Sequence, residues 1–252
     1  MKRSNGDLKD MARQMLLGCY RVPMLAMLLA TLIPSAILLP FDYLCSERDK
    51  FATQAVLYYL AYFIITLISL TLESGVKRIH LMIARGQQVR IPDMFWVLFN
   101  RPDRIFIGGS VFTLISWIPR IPAFALSLRP PAGFSGMQAL AVTQAVSSAG
   151  QILAFLITLP FYFIFWFYVD DPQMDTMEAF RASMSLLRGA KWRLCVLELS
   201  FFGWILLGAL SFGIGFLWIL PYIDQALTNF YLEQKHEFDV AVAFSEEAKE
   251  YI

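Results

Sequence analysis

An all-helical, polytopic membrane protein is the fold class this sequence predicts, and three observations predict it. The 252 residues are 58% hydrophobic and 16% charged, where soluble proteins average about 45–50% and about 25%. The charges gather in clusters, and the apolar stretches between them match the roughly 20 residues a helix needs to cross about 30 Å of hydrocarbon. Lys and Arg fall on one side of the resulting arrangement, as cytoplasmic loops require. The expectation is six transmembrane helices arranged as three outward hairpins, with short amphipathic helices on the cytosolic face.

The spans follow in order. Val22 to Pro40 is the first, Phe51 to Leu72 the second, Ile105 to Leu128 the third and Val142 to Val169 the fourth. The last apolar block, Leu194 to Leu232, exceeds any single crossing. Ser211 to Gly215 interrupts it with Gly213 and Gly215, residues that turn a chain without steric cost. Splitting there predicts spans at about 194–211 and 215–232, with the turn at the outer surface. One tilted helix, giving five spans, is the alternative. With residues 1–21 inside, all basic residues except Arg48, Lys50, Arg129 and Arg120 fall on the cytoplasmic side. Both termini are then cytosolic, and residues 233–252 form an acidic tail (Glu233, Glu237, Asp239, Glu246, Glu247, Glu250). The charged leader of the first span and its long apolar stretch differ from a cleaved signal peptide, so the span stays as an anchor.

Each outward hairpin is preceded by a short helix with an apolar face. Leu8, Met11, Ala12, Met15 and Leu16 repeat at helical spacing ahead of Gly18. Asp175 can cap a helix over about 176–188, with Glu178 three residues on, with Met177, Phe180, Met184 and Leu187 on one face and Gly189 as its stop. Asp93 opens a middle copy at Met94–Phe99. Such helices either lie in the headgroup plane, with basic residues drawn to anionic lipid, or pack on the bundle's own cytosolic face.

The totals exclude several functions. A net charge of +1 does not suit a nucleic-acid binder, which needs a basic surface. Cys19, Cys45 and Cys195 lie far apart, and two histidines, His80 and His236, cannot form a histidine-rich metal centre. No phosphate-binding glycine loop is present, and no cofactor is expected.

The segment from Val169 to Tyr231 carries a dense set of motifs. They are Asp170-Asp171-Pro172; Ala179 with Ser183; Gly189, Lys191 and Trp192; Leu199 to Phe202 with Gly203 and Trp204; Gly213 to Gly215; Pro221 and Tyr222; and Phe230 and Tyr231. This pattern resembles the bacterial integral membrane family known as domain of unknown function 975. Leu8 to Ala12 and Leu17 to Arg21 resemble that family's N-terminus. Many members carry a Pro-Gly-Ile-Ile-type step before the Asp-x-Pro, where this chain has Pro160 followed by Phe161 to Tyr168. The resemblance implies a six-helix protein of the bacterial cytoplasmic membrane and no particular activity.

Polar residues inside spans are the candidates for function. Arg120, between Pro119 and Pro122, either snorkels to the outer headgroups or serves a polar cavity. Glu198, one turn into the fifth span, either bonds Lys191 or Arg193 at the interface or acts as a responsive carboxylate. Asp224, Gln225, Thr228 and Asn229 make one polar flank of the sixth helix at i, i+4 spacing. That flank could line a cavity, hold helices together or emerge into the cytosol. Ala141, Ala145 and Ala149 with Gly150 read as a packing seam, and Tyr20, Tyr43, Trp192 and Tyr231 as interfacial aromatics. The first functional expectation is a non-enzymatic accessory, scaffold or assembly component that meets membrane lipids and a protein partner or a second copy. A small transporter or exporter of a lipid or amphipathic compound is the alternative, if Arg120, Glu198 and Asp224 converge on one cavity. A lipid-modifying enzyme using Asp170, Asp171 and Glu178 with a divalent cation is the third.

Overall fold

The computed structural model describes residues 3–45, 52–128, 133 and 136–237, and every regular element among them is helical. Arg48, Lys50, Arg129, the side chain of Tyr43 and the tail beyond Glu237 lie outside the described residues. The chain opens with α1 (Asn5–Leu16). Ser4 starts it, its hydroxyl accepting from the Asp7 N–H at 3.1 Å while the Asp7 carboxylate accepts from the Ser4 N–H at 2.8 Å. That reciprocal pair satisfies two otherwise orphaned donors. Leu8, Ala12 and Leu16, at i, i+4 and i+8, are fully buried against the last helix of the chain. Of the two readings of these amphipathic helices, α1 follows the second: its apolar stripe is spent on the protein itself. Gly18, at φ +89°, ends the segment.

Helices α2 (Arg21–Cys45) and α3 (Ala52–Ala84) form the most extensively packed pair. The sequence expectation stopped the second span at Leu72, but α3 continues for three further turns. Lys77 and Arg78 are therefore helical residues, not loop residues. Hydropathy fails there because the polar groups are satisfied: the Thr71 and Ser74 hydroxyls donate to the Leu67 and Leu70 carbonyls at 2.8 and 2.7 Å. Gly75 permits the next segment, a 3-10 turn (Ile91–Phe95) leading into α4 (Trp96–Phe99), to press against α3. A Cβ at Gly75 would stand 1.9 Å from the Met94 carbonyl oxygen.

The third and fourth expected spans are both broken by proline. The third is α5 (Pro102–Trp117), a 3-10 turn (Ile118–Arg120) and α6 (Ile121–Leu128). The fourth is α7 (Gly136–Thr158), a 3-10 turn (Leu159–Phe161) and α8 (Ile164–Asp170). The packing seam of α7 also shifts: Ala141, Ala145 and Ala149 are exposed, while Ala139, Gly150 and Ala154 are buried. Gly150 is the point of contact, since a Cβ there would lie 2.6 Å from the Pro119 carbonyl oxygen at the break in the third span.

Helix α9 (Thr176–Leu186) starts at Asp175, whose carboxylate accepts from the Met177 N–H at 3.4 Å. Its buried face is Ala179, Phe180, Ser183 and the following Leu187, whereas Met177 and Met184 point outward. The expected apolar stripe is thus split, because Ser183 replaces a methionine in the core. The Ser183 hydroxyl donates to the Pro160 carbonyl at 3.0 Å and accepts from the Phe163 N–H at 3.2 Å, mending the backbone that Pro160 interrupts.

The last block bends rather than running straight: α10 (Lys191–Leu199), α11 (Phe202–Leu210) and, after the Ser211–Gly215 turn, α12 (Phe216–Gln234). The chain reverses there. Arg193 and Glu233 pair at 2.6 Å at one end, and Gly208 meets Phe216 at the other. Gly213 has φ +86°, which only glycine adopts freely. Gly215 serves close approach instead, since its Cβ would fall 2.7 Å from the Ser211 hydroxyl. Among the described residues, five helical stretches are long and apolar enough to span a membrane: 21–41, 57–84, 102–126, 136–170 and 191–210. Helix α12 is not among them, although twelve of its nineteen residues are buried.

Candidate functional site

The polar flank of α12 is the centre of the molecule. Gln225, Thr228 and Asn229 are fully buried and Asp224 nearly so, and each is satisfied from another element. Both carboxylate oxygens of Asp224 accept from Lys77 Nζ of α3 at 2.8 Å. Lys77 also lies over the Trp166 ring of α8, 4.7 Å from its centroid. Trp166 Nε1–H donates to Thr228 at 3.0 Å, and Thr228 donates to the Asp224 carbonyl at 2.8 Å. Asn229 Nδ2 reaches the Leu8 carbonyl of α1 at 3.2 Å. Gln225 Nε2 donates to Asn229 and to the His80 carbonyl, so its oxygen faces His80 Nδ1 at 2.9 Å. An amide oxygen only accepts, so Nδ1 carries the imidazole proton. Nε2 is then a buried lone pair without a protein partner. The flank therefore fastens α12 to α1, α3 and α8, and neither lines an open cavity nor emerges from the protein.

Glu198 belongs to the same neighbourhood, but its partner is not the expected Lys191 or Arg193. The Tyr162 hydroxyl donates to its carboxylate, and the Tyr162 ring stacks on Trp166. Arg193 is taken by Glu233. Glu73, one turn before Lys77, and Glu198 both lie within electrostatic reach of Lys77 and Asp224. Asp224 is thus the carboxylate bonded to the ammonium, with Glu198 and the exposed Glu73 acting on the pair at longer range. Arg120 takes no part. It is exposed and lines a separate cleft of about 360 Å³ with Tyr59, Tyr62, Trp117 and Phe124.

At the end of α3 a second set of charges gathers on Asp170. Its carboxylate accepts from Arg85 at 2.5 Å, Lys235 at 2.6 Å and the Tyr231 hydroxyl at 2.9 Å, and Glu237 bridges Lys235 and Arg85 at 2.6 and 3.0 Å. Burial works against the charged forms of Arg85 and Lys235, but Asp170 and Glu237 outweigh it and raise both above their usual values. Tyr231, expected at an interface, is fully buried with its ring 5.6 Å from Phe163. Trp192 is exposed as expected, and Tyr20 is half-buried. Arg78 closes a neighbouring cleft of about 230 Å³. Its guanidinium lies 3.8 Å from the Trp96 ring centroid, and its buried Nε has no hydrogen-bond partner.

The remaining motif residues are mostly structural. Asp171 accepts from the Gln173 N–H at 3.0 Å, Pro172 borders the cleft that Arg78 closes, and Gly189 has φ +78°. Tyr222 packs edge-on against Phe201 and Trp204, and Pro221 lies inside α12. Lys191 is exposed at the start of α10, and Gly203 faces open space. Asp170 is consumed by its ion pairs and Glu178 is exposed, so the structure does not bring the acids of the enzyme reading together. Among the described residues no group of three or more His, Cys, Asp or Glu is placed to hold a metal ion. Sequence reasoning missed Lys77, His80, Trp166 and Tyr162. The available signal was the i, i+4 pair Glu73–Lys77, which continues the helix past Leu72.

These features define a helical protein built on several membrane-length helices and closed by a buried polar network. Residues 145–237 match the model of the family described as "Protein of unknown function (DUF975)". The match covers the segment whose motifs carried the resemblance. No curated protein and no solved structure matches the chain.

Proposed function

We propose that the chain is a non-enzymatic component of the bacterial cytoplasmic membrane, an accessory, scaffold or assembly protein with both termini in the cytosol. One observation carries this reading: the densest polar set in any apolar block, on α12, is spent entirely on holding helices together. A solute pathway needs polar groups facing a water-filled cavity near the bilayer midplane, and Arg120 stands apart from Glu198 and Asp224. The exposed aromatic and aliphatic side chains of α2, α3, α7 and α11 suit contact with lipid or a partner helix. The basic cytosolic face suits anionic headgroups, and Arg78, held over Trp96 with an unpartnered Nε, is the side chain best placed to take a phosphate. Purification from native membranes in mild detergent tests the proposal. A partner or a second copy that co-elutes at fixed stoichiometry supports it, and a chain that always emerges alone counts against it.

The excess of carboxylates around Lys77 favours one second reading, a small transporter or exporter coupled to protons. Its test is a proton flux across reconstituted vesicles that Glu198→Gln abolishes while leaving the fold intact.

A further inference from the structure

We infer that the C-terminal hairpin, α10–α11 and α12, does not cross the bilayer but enters it from the cytosolic side, and that its turn is seated among the acyl chains of the cytosolic leaflet. This inference rests on the cytosolic placement of the N-terminus proposed above. It departs from the expectation that Gly213 and Gly215 turn at the outer surface.

The argument is one of depth. The charged N-terminal segment runs antiparallel along the hairpin in continuous register. The Arg3 N–H donates to Glu233 at 2.6 Å and the Leu8 carbonyl accepts from Asn229 at 3.2 Å. Arg13 lies 5.8 Å from the centre of the Tyr222 ring, and the Tyr20 hydroxyl donates to the Trp218 carbonyl at 2.5 Å. On the other leg Lys9 Nζ donates to the Ser200 carbonyl at 3.1 Å. Tyr20 is followed by Arg21, the first residue of α2. The start of the first span is therefore level with Trp218, in the first turn of α12.

From Trp218 back to the tip at Phe212 is six residues, at most about 9 Å of helical rise. The hydrocarbon core is about 30 Å thick. If Arg21 stands at the cytosolic interface, the tip ends within the cytosolic leaflet. If instead the tip stood at the outer surface, Arg21 would begin α2 about 20 Å deep in hydrocarbon. The exposed polar face of α1, with Asp7, Asp10, Arg13 and Gln14, would then be drawn into lipid as well. The direction of entry is fixed by α3, which reaches the cytosol in the same sense as α12: Lys77 meets Asp224, and beyond the helix end Arg85 meets Glu237.

The α12 leg changes character at the same level. Below Trp218 α12 is covered by α1 and α3, and beside Trp204 the other leg still exposes Leu199 and Phe202. Above Trp218 and Trp204, Leu206, Leu207, Leu210, Phe212 and Ile214 are exposed, Phe212 at 98%, with no charged residue between Glu198 and Asp224. A backbone turn at membrane depth is tolerable only if its polar groups are satisfied. Here they are: the Gly213 N–H donates to the Gly208 carbonyl at 3.1 Å and the Gly215 N–H to the Ser211 hydroxyl at 2.8 Å. The hairpin is an apolar wedge in one leaflet, and the chain crosses four times.

Site-directed labelling of the full chain in intact cells and in inverted vesicles tests this. With Cys19, Cys45 and Cys195 changed to Ser, single variants Phe212→Cys, Met137→Cys and Gln88→Cys are treated with a membrane-impermeant maleimide. Met137→Cys labelled only from outside and Gln88→Cys only from inside establish the frame; the reverse would overturn the orientation itself rather than the hairpin. Within that frame Phe212→Cys is expected to resist the reagent from both sides and to react after detergent solubilisation. A nitroxide at the same position should show high oxygen and low aqueous-reagent accessibility, as in the cytosolic leaflet. Labelling of Phe212→Cys from outside, or aqueous accessibility from either side, overturns the inference.

Discussion

Replacing Lys77 with Met should damage the protein more than replacing the acid it binds. Both members of the Lys77–Asp224 pair are nearly buried, with side-chain exposures of 15% and 10%. Removing one partner of a buried pair strands the other charge and costs about 3–5 kcal/mol. The two losses are not symmetrical here. Without Lys77, the buried Asp224 carboxylate loses the cation that both its oxygens bond, and Glu198 and Glu73 add repulsion at longer range. Without the Asp224 charge, Lys77 keeps the Trp166 face at 4.7 Å and two nearby carboxylates. Lys77→Met should therefore sit at the upper end of that range and Asp224→Asn below its lower end. At about 2–4 °C per kcal/mol for a chain of this size, Lys77→Met should lose roughly 10–20 °C of melting temperature in detergent, read as loss of the monodisperse peak after heating. Lys77→Met combined with Asp224→Asn should cost less than the sum of the singles, because residues sharing one network couple. Equal single losses of a few degrees that simply add would refute the reasoning and mean that water already screens the Lys77–Asp224 pair.

Four further outcomes follow from the same geometry. Gly75→Ala forces its Cβ against the Met94 carbonyl, so it should cost at least the upper part of the about 1–3 kcal/mol typical of overpacking and lower expression and melting temperature. Gly213→Ala should cost about 1–2 kcal/mol for its left-handed backbone, while Gly203→Ala, in open space within α11, should gain about 0.5–1 kcal/mol of helix propensity; paired thermal melts separate the two signs. Lys235 has a raised value, so the stability it contributes is present below the ordinary lysine value and is lost as pH climbs through the folded one. Melting temperature should fall on the alkaline side, and Asp170→Asn should flatten that fall while lowering stability at neutral pH. Arg78→Gln should weaken binding of the detergent-solubilised protein to vesicles containing anionic lipid by about tenfold, and Arg181→Gln, which removes one exposed charge of the same face, should weaken it less.

The sequence made legible what depends on short-range spacing. Asp175 caps α9, Gly18, Gly189 and Gly213 take positive φ, and Asp224, Gln225, Thr228 and Asn229 share one helix flank, all as spacing demands. What it could not show was which neighbour each face meets. The α7 contact falls on Gly150 rather than on the alanines beside it, because the Pro119 break brings a carbonyl oxygen to that one position. The stripe of α9 runs through Ser183, because Pro160 leaves backbone groups that a hydroxyl can satisfy and a methionine cannot.

The most instructive misreading concerns α3 and α12, whose errors are halves of one fact. A transfer scale ends α3 at Leu72, because Glu73, Lys77, Arg78 and His80 follow, and it rates α12 poorly because of Asp224, Gln225 and Asn229. Each helix alone looks too polar for a core. Together they neutralise one another: Lys77 with Asp224 and His80 with Gln225, with Trp166 and the Leu8 carbonyl closing the remaining donors and acceptors. Hydropathy scores a side chain against lipid or water, and these residues meet neither. The hairpin's topology turns on the same point. Gly213 and Gly215 divide the block into two expected spans, yet the polar part of α12 is covered by α1 and α3 while the tip at Phe212 and Ile214 is exposed. A polar helix that the chain itself envelops does not need to cross a membrane to be buried, and its partners, not its composition, set its depth.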